Sequence, residues 1–120
     1  MKSVAVLGAT PKPDRYAFAA MQQLQGNGWN VIPVNPAFSE VLGKRCHASI
    51  ADVPEPIDTV TMYLSPARST PLIDEIIRAK PRRIICNPGA ENDELAKAAR
   101  LAGIQVINDC MLVMLADGRF

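Results

Sequence analysis

The chain has 120 residues, enough for one domain with a buried core and too few for a nucleotide domain joined to a separate catalytic one. Hydrophobic content of 48%, charged content of 21% and a net charge of +1 fit a soluble globular domain, and they point to no general nucleic-acid or membrane partner. No run approaches the ~18 apolar residues of a membrane span, no signal-peptide pattern is expected at the N-terminus, and Cys46, Cys86 and Cys110 form neither a disulfide framework nor CxxC metal spacing, so a reduced, cytoplasmic setting is expected.

The charge is unevenly spread. Residues 1–45 hold five basic and two acidic residues, net +3, whereas residues 46–120 hold eight basic and ten acidic, net −2. The basic bias surrounds the first loop and suits an anionic ligand.

A near-continuous apolar run at Ser3–Leu7 predicts a strand buried on both faces, as in a parallel sheet. Asp14 is placed to cap a helix whose buried face is Ala17, Ala20, Met21 and Leu24, and Gly26 and Gly28 end it. A second strand, Asn30–Val34, closes a right-handed βαβ unit. Residues 36–57, with Pro36, Gly43, Pro54 and Pro56, read as a surface excursion in place of a crossover helix, with a short helix at Ser49–Val53. The third strand is Thr59–Leu64. Thr70 then caps a helix with Pro71 at its first position and Ile73, Ile76 and Ile77 on its buried stripe. The fourth strand, Arg83–Cys86, ends at Asn87-Pro88-Gly89. A helix over 92–102 buries Leu95, Ala98, Ala99 and Ala102, and Ile104–Ile107 is the fifth strand. The tail Met111–Leu115 is apolar enough to pack on the body or on another chain.

This alternation predicts one α/β domain over residues 1–120: an open parallel sheet of about five strands, order 3-2-1-4-5, with helices on both faces. The ligand site of such a sheet lies at the carboxyl ends of the strands, here expected at the switch point between strands one and four. The loops 8–13, 35–38, 65–68 and 87–90 are therefore nominated.

Gly8 lets the backbone turn close to the first strand, Thr10 offers a hydroxyl, and the amides of Ala9, Thr10 and Lys12 can meet a pyrophosphate. Pro11 and Pro13 cannot donate. Lys12 and Arg15 add positive charge. The bland alternative is a tight strand-to-helix turn with solvated basic side chains. Only the first glycine of G-x-G-x-x-G is present, and the second strand ends in Asn35 rather than in the acid that grips an NAD ribose. Plain NAD is disfavoured. A receiver domain lacks its acidic cluster and its phospho-accepting Asp. A Walker loop is absent, and a single histidine, His47, builds no metal site.

Val4–Pro13, Val31–Pro36, Leu42–Cys46 and Asp52–Asp58, in that order, resemble the small CoA-binding domain proteins. Those are in turn similar to the N-terminal CoA-binding domain of the succinyl-CoA synthetase α subunit. The resemblance covers Val4 to about Leu115. It implies a Rossmann-like fold that binds coenzyme A, with phosphates at Gly8, Ala9, Thr10 and Lys12 and with Arg15 nearby. It further implies that Asn35-Pro36 borders the nucleotide end and that Ser65-Pro66 and Asn87-Pro88-Gly89 line the rest. Synthetase-type domains carry a lysine after the second strand for the adenosine 3′-phosphate. Ala37 and Phe38 stand there in this chain, and Lys44 or Arg45 is the expected substitute.

Cys86 and Cys110 fall near the crevice mouth, where a mixed disulfide with a thiol ligand is conceivable, though small buried thiols are the simpler reading. Tyr63 packs the sheet or approaches an adenine. The expected function is non-catalytic binding of CoA or an acyl-CoA. The alternative is a small NAD(P)-linked or thiol-dependent enzyme using Asp109 or the cysteines. An interaction module, with the Met111–Leu115 tail facing a second copy or a protein partner, is compatible with CoA binding.

Overall fold

The computed structural model describes residues 2–120. Its centre is β1 (Ser3–Leu7), whose five residues are all buried. Such a strand needs apolar side chains on both faces, which explains the unbroken Val4–Leu7 run. Parallel neighbours flank it: β2 (Asn30–Val34) on one side and β5 (Thr59–Met62) on the other. Beyond β5 lie β6 (Arg83–Cys86) and β7 (Gln105–Asn108), also parallel.

The sheet order is therefore β2-β1-β5-β6-β7. In terms of the five expected strands this is 2-1-3-4-5, not 3-2-1-4-5. The reason lies in residues 36–57. They form a two-stranded hairpin, β3 (Glu40–Val41) with β4 (Lys44–Arg45), and then a 3₁₀ turn at Ile50–Asp52 capped by Ser49. After the hairpin, His47 lies against the outer edge of β2: its amide donates to the Pro33 carbonyl at 3.0 Å, and the Asn35 amide donates to its carbonyl at 2.9 Å. That edge is thus occupied. The chain crosses one face of the sheet, burying Ile50 and Ile57, and reaches the far side of β1. The switch point moves with it, to the gap between β1 and β5.

Helices cover both faces, as expected. On one face α1 (Tyr16–Gly26) and α5 (Met111–Ala116) bury Ala17, Ala20, Met21, Leu24, Met111 and Met114 against Val4, Val6 and Ile85. The apolar tail packs on its own body, with Val113 exposed. On the other face α3 (Ile73–Arg78) and α4 (Asp93–Leu101) bury Ile76, Leu95 and Ala99 against Val60, Met62 and Ile84.

Several local expectations shift. The helix after β5 begins before Thr70, as α2 (Pro66–Ser69), with Ser65 at its N-cap and Pro66 at its first position. Pro71 has no amide to continue the α ladder, so Thr70–Leu72 tightens into a 3₁₀ turn before α3. In α4, Leu95, Ala96 and Ala99 form the buried face, and Ala102 is exposed because the helix ends at Leu101 with Ala102 as its C-cap; at the other end the Asn92 cap accepts from Glu94 and Leu95. At the other end of the sheet, Phe120 meets Trp29 edge-on at 5.1 Å and lies 4.4 Å under the Arg83 guanidinium.

Candidate functional site

The carboxyl ends of β1, β2, β5 and β6 open into a crevice centred on Gly8. Gly8 has φ +92°, and a Cβ built on it would sit 3.2 Å from the Tyr63 carbonyl carbon and oxygen. Glycine is thus required where the loop after β1 passes the end of β5, at the switch point itself. From the sequence, a Cβ at Gly8 is expected to block a ligand phosphate. The atoms found there belong to the protein.

The loop beyond Gly8 is fixed from two sides. Asn35 Nδ2 donates to the Ala9 carbonyl at 2.8 Å, and Asn35 Oδ1 accepts from the Ala37 amide at 2.9 Å. The Lys12 amide donates to Thr10 Oγ1 at 3.2 Å, so it is not the free donor the sequence suggested. Among the described residues, no protein acceptor takes the Ala9 or Thr10 amide. Helix α1 adds an open N-terminus. Its N-cap is Arg15 rather than Asp14, and no side chain caps it. Thr10, with its unmet amide, and the positive end of an 11-residue helix border the same space, an arrangement that favours an anion, while Ala9 is wholly buried.

Two cavities flank Gly8. The larger, about 750 Å³, is bordered by Thr10, Lys12, Arg15, Ser65, Pro88 and Gly89, with Asp14 as its one carboxylate. Tyr16, exposed over 77% of its surface, stands at its rim. The smaller, about 450 Å³, is mostly apolar and runs between Leu7, Val34, Pro36, Ala48 and Leu72. Arg68 borders both cavities.

Of the residues nominated from sequence, Gly8, Thr10, Lys12, Arg15, Asn35, Pro36, Ser65, Pro88 and Gly89 converge on these two cavities. Four do not line them. The Ala9 side chain is fully buried in the core. Pro66 starts α2 beside the opening. Lys44 lies in the hairpin away from it, while Arg45 borders a neighbouring 800 Å³ hollow with His47 and Asp52 that shares Ala37 with both cavities. Asn87 is 3% exposed and wholly engaged: Nδ2 donates to Thr61 Oγ1 at 2.8 Å and to the Met62 carbonyl at 2.9 Å, and Oδ1 accepts from the Met111 amide at 2.9 Å. It ties β5, β6 and α5 together. Tyr16 was not expected from the sequence, and Arg68 was included only as the last residue of the nominated loop 65–68. Both stand one helix turn or less beyond a strand-end loop, where basic and aromatic side chains reach back over a crevice.

Asp109 and the three cysteines, named from sequence as candidate acid and nucleophiles, differ in their surroundings. Asp109 Oδ1 accepts from the Cys110 amide at 2.7 Å and Oδ2 from Arg119 at 2.6 Å, and the guanidinium holds its pKa below the usual carboxylate value. Burial pushes the Cys86 thiol up to about 11 and raises that of Cys46, whose Sγ lies 3.5 Å from the Asn35 carbonyl. Cys110 is half-buried. The Tyr63 hydroxyl is buried with no well-aligned hydrogen-bond partner among the described residues, and burial raises its pKa. No group of three or more metal-ligating side chains occurs among the described residues, and no helix there is long and apolar enough to cross a membrane.

The chain is similar in sequence and in structure to several known proteins. Protein YneT of Bacillus subtilis is 28% identical over 108 residues, which span 90% of this chain and 80% of YneT. The ADP-forming acetate–CoA ligase of Methanocaldococcus jannaschii is 35% identical over 63 residues, 52% of this chain but 9% of the ligase. A crystal structure described only as an uncharacterized protein superposes with a TM-score of 0.94 at 42% identity, covering 100% of this chain and 98% of its own. The sequence profile of the CoA binding domain matches residues 2–116, and the chain belongs to that family.

Proposed function

We propose that this protein binds coenzyme A or an acyl-CoA in the Gly8 crevice and does so without catalysing a reaction, as an accessory or regulatory module. One observation carries the reading. The uncapped α1 N-terminus, Thr10 with its unpaired amide, and the Lys12 and Arg15 side chains all border one cavity, beside a second cavity that is mostly apolar. Phosphates suit the first and an adenine suits the second. The family assignment supports the choice of CoA among phosphorylated nucleotides.

The non-catalytic reading is supported by the fate of the candidate acids and nucleophiles. Asp109 is held ionised by Arg119, and Cys46 and Cys86 are buried with raised pKa values. A cytoplasmic setting supplies the ligand and keeps all three thiols reduced. Native mass spectrometry of the purified protein tests the reading. A copurified mass increment equal to CoA or an acyl-CoA, released on unfolding, is expected. A different copurified nucleotide overturns it.

A further inference from the structure

We infer that Arg68 is the residue by which this protein distinguishes a ligand with a second, separate phosphate from one with a pyrophosphate alone. The inference rests on the coenzyme A reading above and adds to it a specificity determinant. The two cavities around Gly8 share a ridge made of Gly8, Asn35, Ala37, Leu64 and Arg68. Arg68 is the only charged member. Asn35, the other polar one, has its side chain committed to Ala9 and Ala37.

A ligand that fills both cavities must cross this ridge. Lys12 and Arg15 hold a pyrophosphate in the larger cavity. The smaller one is mostly apolar and contains Glu75, which repels an anion, so it receives the base rather than a phosphate. The sugar between them crosses under Arg68. Coenzyme A carries a phosphate on that sugar, and dephospho-CoA does not. Arg68 is exposed and forms no ion pair with an acidic residue among the described residues, so its guanidinium is free to take a phosphate in a bidentate contact.

The backbone beneath it is rigid. Ser69 is fully buried, and its hydroxyl accepts from Asn92 Nδ2 at 2.8 Å. The same Nδ2 donates to Thr70 Oγ1 at 3.0 Å. The Arg68 amide donates to the Ser65 carbonyl at 3.0 Å. A fixed anchor lowers the entropy lost when the side chain closes on a ligand. Arg45 fits the role less well, because its hollow does not include Gly8.

Calorimetric titration of CoA and dephospho-CoA tests this on the full chain, its Arg68→Gln and Arg68→Lys variants, and Arg45→Gln. The unmodified protein should prefer CoA by at least about tenfold. Arg68→Gln should lose most of that preference by weakening CoA alone, Arg68→Lys should restore part of it, and Arg45→Gln should keep it. Equal weakening of both ligands by Arg68→Gln, no weakening, or loss of the preference in Arg45→Gln overturns the assignment while leaving CoA binding in place. Failure of the unmodified protein to bind either compound overturns the coenzyme reading and this inference together. Circular dichroism of each variant confirms that the exposed substitution leaves the fold unchanged.

Discussion

Asn35 and Ala9, 26 residues apart, are joined by a 2.8 Å hydrogen bond from the Asn35 amide to the Ala9 carbonyl. That bond holds the end of β2 against the loop after β1, and the Asn35–Ala37 bond extends the clamp to the next turn. The residue that first argued against an NAD site from sequence is therefore a brace of the crevice. Asn35→Asp keeps the acceptor for Ala37, loses the donor for Ala9, and sets a carboxylate beside the anion site. It should cost about 1–3 kcal/mol of stability in urea unfolding and weaken CoA binding by about tenfold or more in calorimetry. Unchanged affinity would remove Asn35 from the crevice.

Two glycines with similar φ should respond differently to alanine. Gly89 has φ +91° with open space around it, so Gly89→Ala should cost only the left-handed penalty, about 1 kcal/mol. Gly8 has φ +92° and a Cβ position 3.2 Å from the Tyr63 carbonyl carbon and oxygen, and Gly8→Ala should cost roughly twice as much or more. Thermal unfolding of the pair checks the ranking. Gly8 variants report on folding as well as binding, so the side chains of Lys12, Arg15 and Arg68 are the cleaner probes of the ligand.

Asn87 serves the scaffold rather than the ligand. Asn87→Ala removes three hydrogen bonds at a site 3% exposed and leaves the Met111 amide without its acceptor. Urea denaturation should show a loss of about 2–3 kcal/mol. A loss under ~0.5 kcal/mol, the range of ordinary surface changes, would contradict the role assigned to it.

Acid should weaken the fold through Asp58. Arg82 donates to both of its carboxylate oxygens, at 3.1 and 3.2 Å, and this charge-assisted bonding lowers its pKa below 3.8. A depressed folded-state pKa means that the contribution is complete above the unfolded-state value and fades as pH falls through the folded one. The change should therefore appear below about pH 4 and be absent near neutrality. Because Arg82 is 53% exposed, its size is at most about 1 kcal/mol. Arg82→Gln should flatten this part of the stability–pH profile below about pH 4, measured by urea unfolding at each pH.

Most of the fold was legible in the sequence because it rests on local signals. The unbroken Val4–Leu7 run, the spacing of Ala17, Ala20, Met21 and Leu24, and the strand-end turns each report burial or chain direction without reference to distant residues. The strand order was not, because it depends on where 36–57 docks. A signal was present nonetheless: Pro33 lies inside β2 and cannot donate to a neighbour, which favours an edge strand over the interior place first given to it. The site was legible as a set of loops. What could not be read was which polar side chains the scaffold consumes. Asn35 and Asn87 look alike in sequence as strand-end asparagines followed by proline, and only their partners 24 to 26 residues away show that both brace the structure.

The central claim is that the Gly8 crevice binds coenzyme A, and calorimetric titration of the purified protein with CoA, acetyl-CoA, NAD and NADP tests it most directly. The account predicts saturable one-to-one binding of CoA or acetyl-CoA, weakened by about tenfold or more when Lys12 and Arg15 are both changed to Gln, with little or no response to NAD. Clear binding of NADP with none of CoA or acetyl-CoA would contradict it.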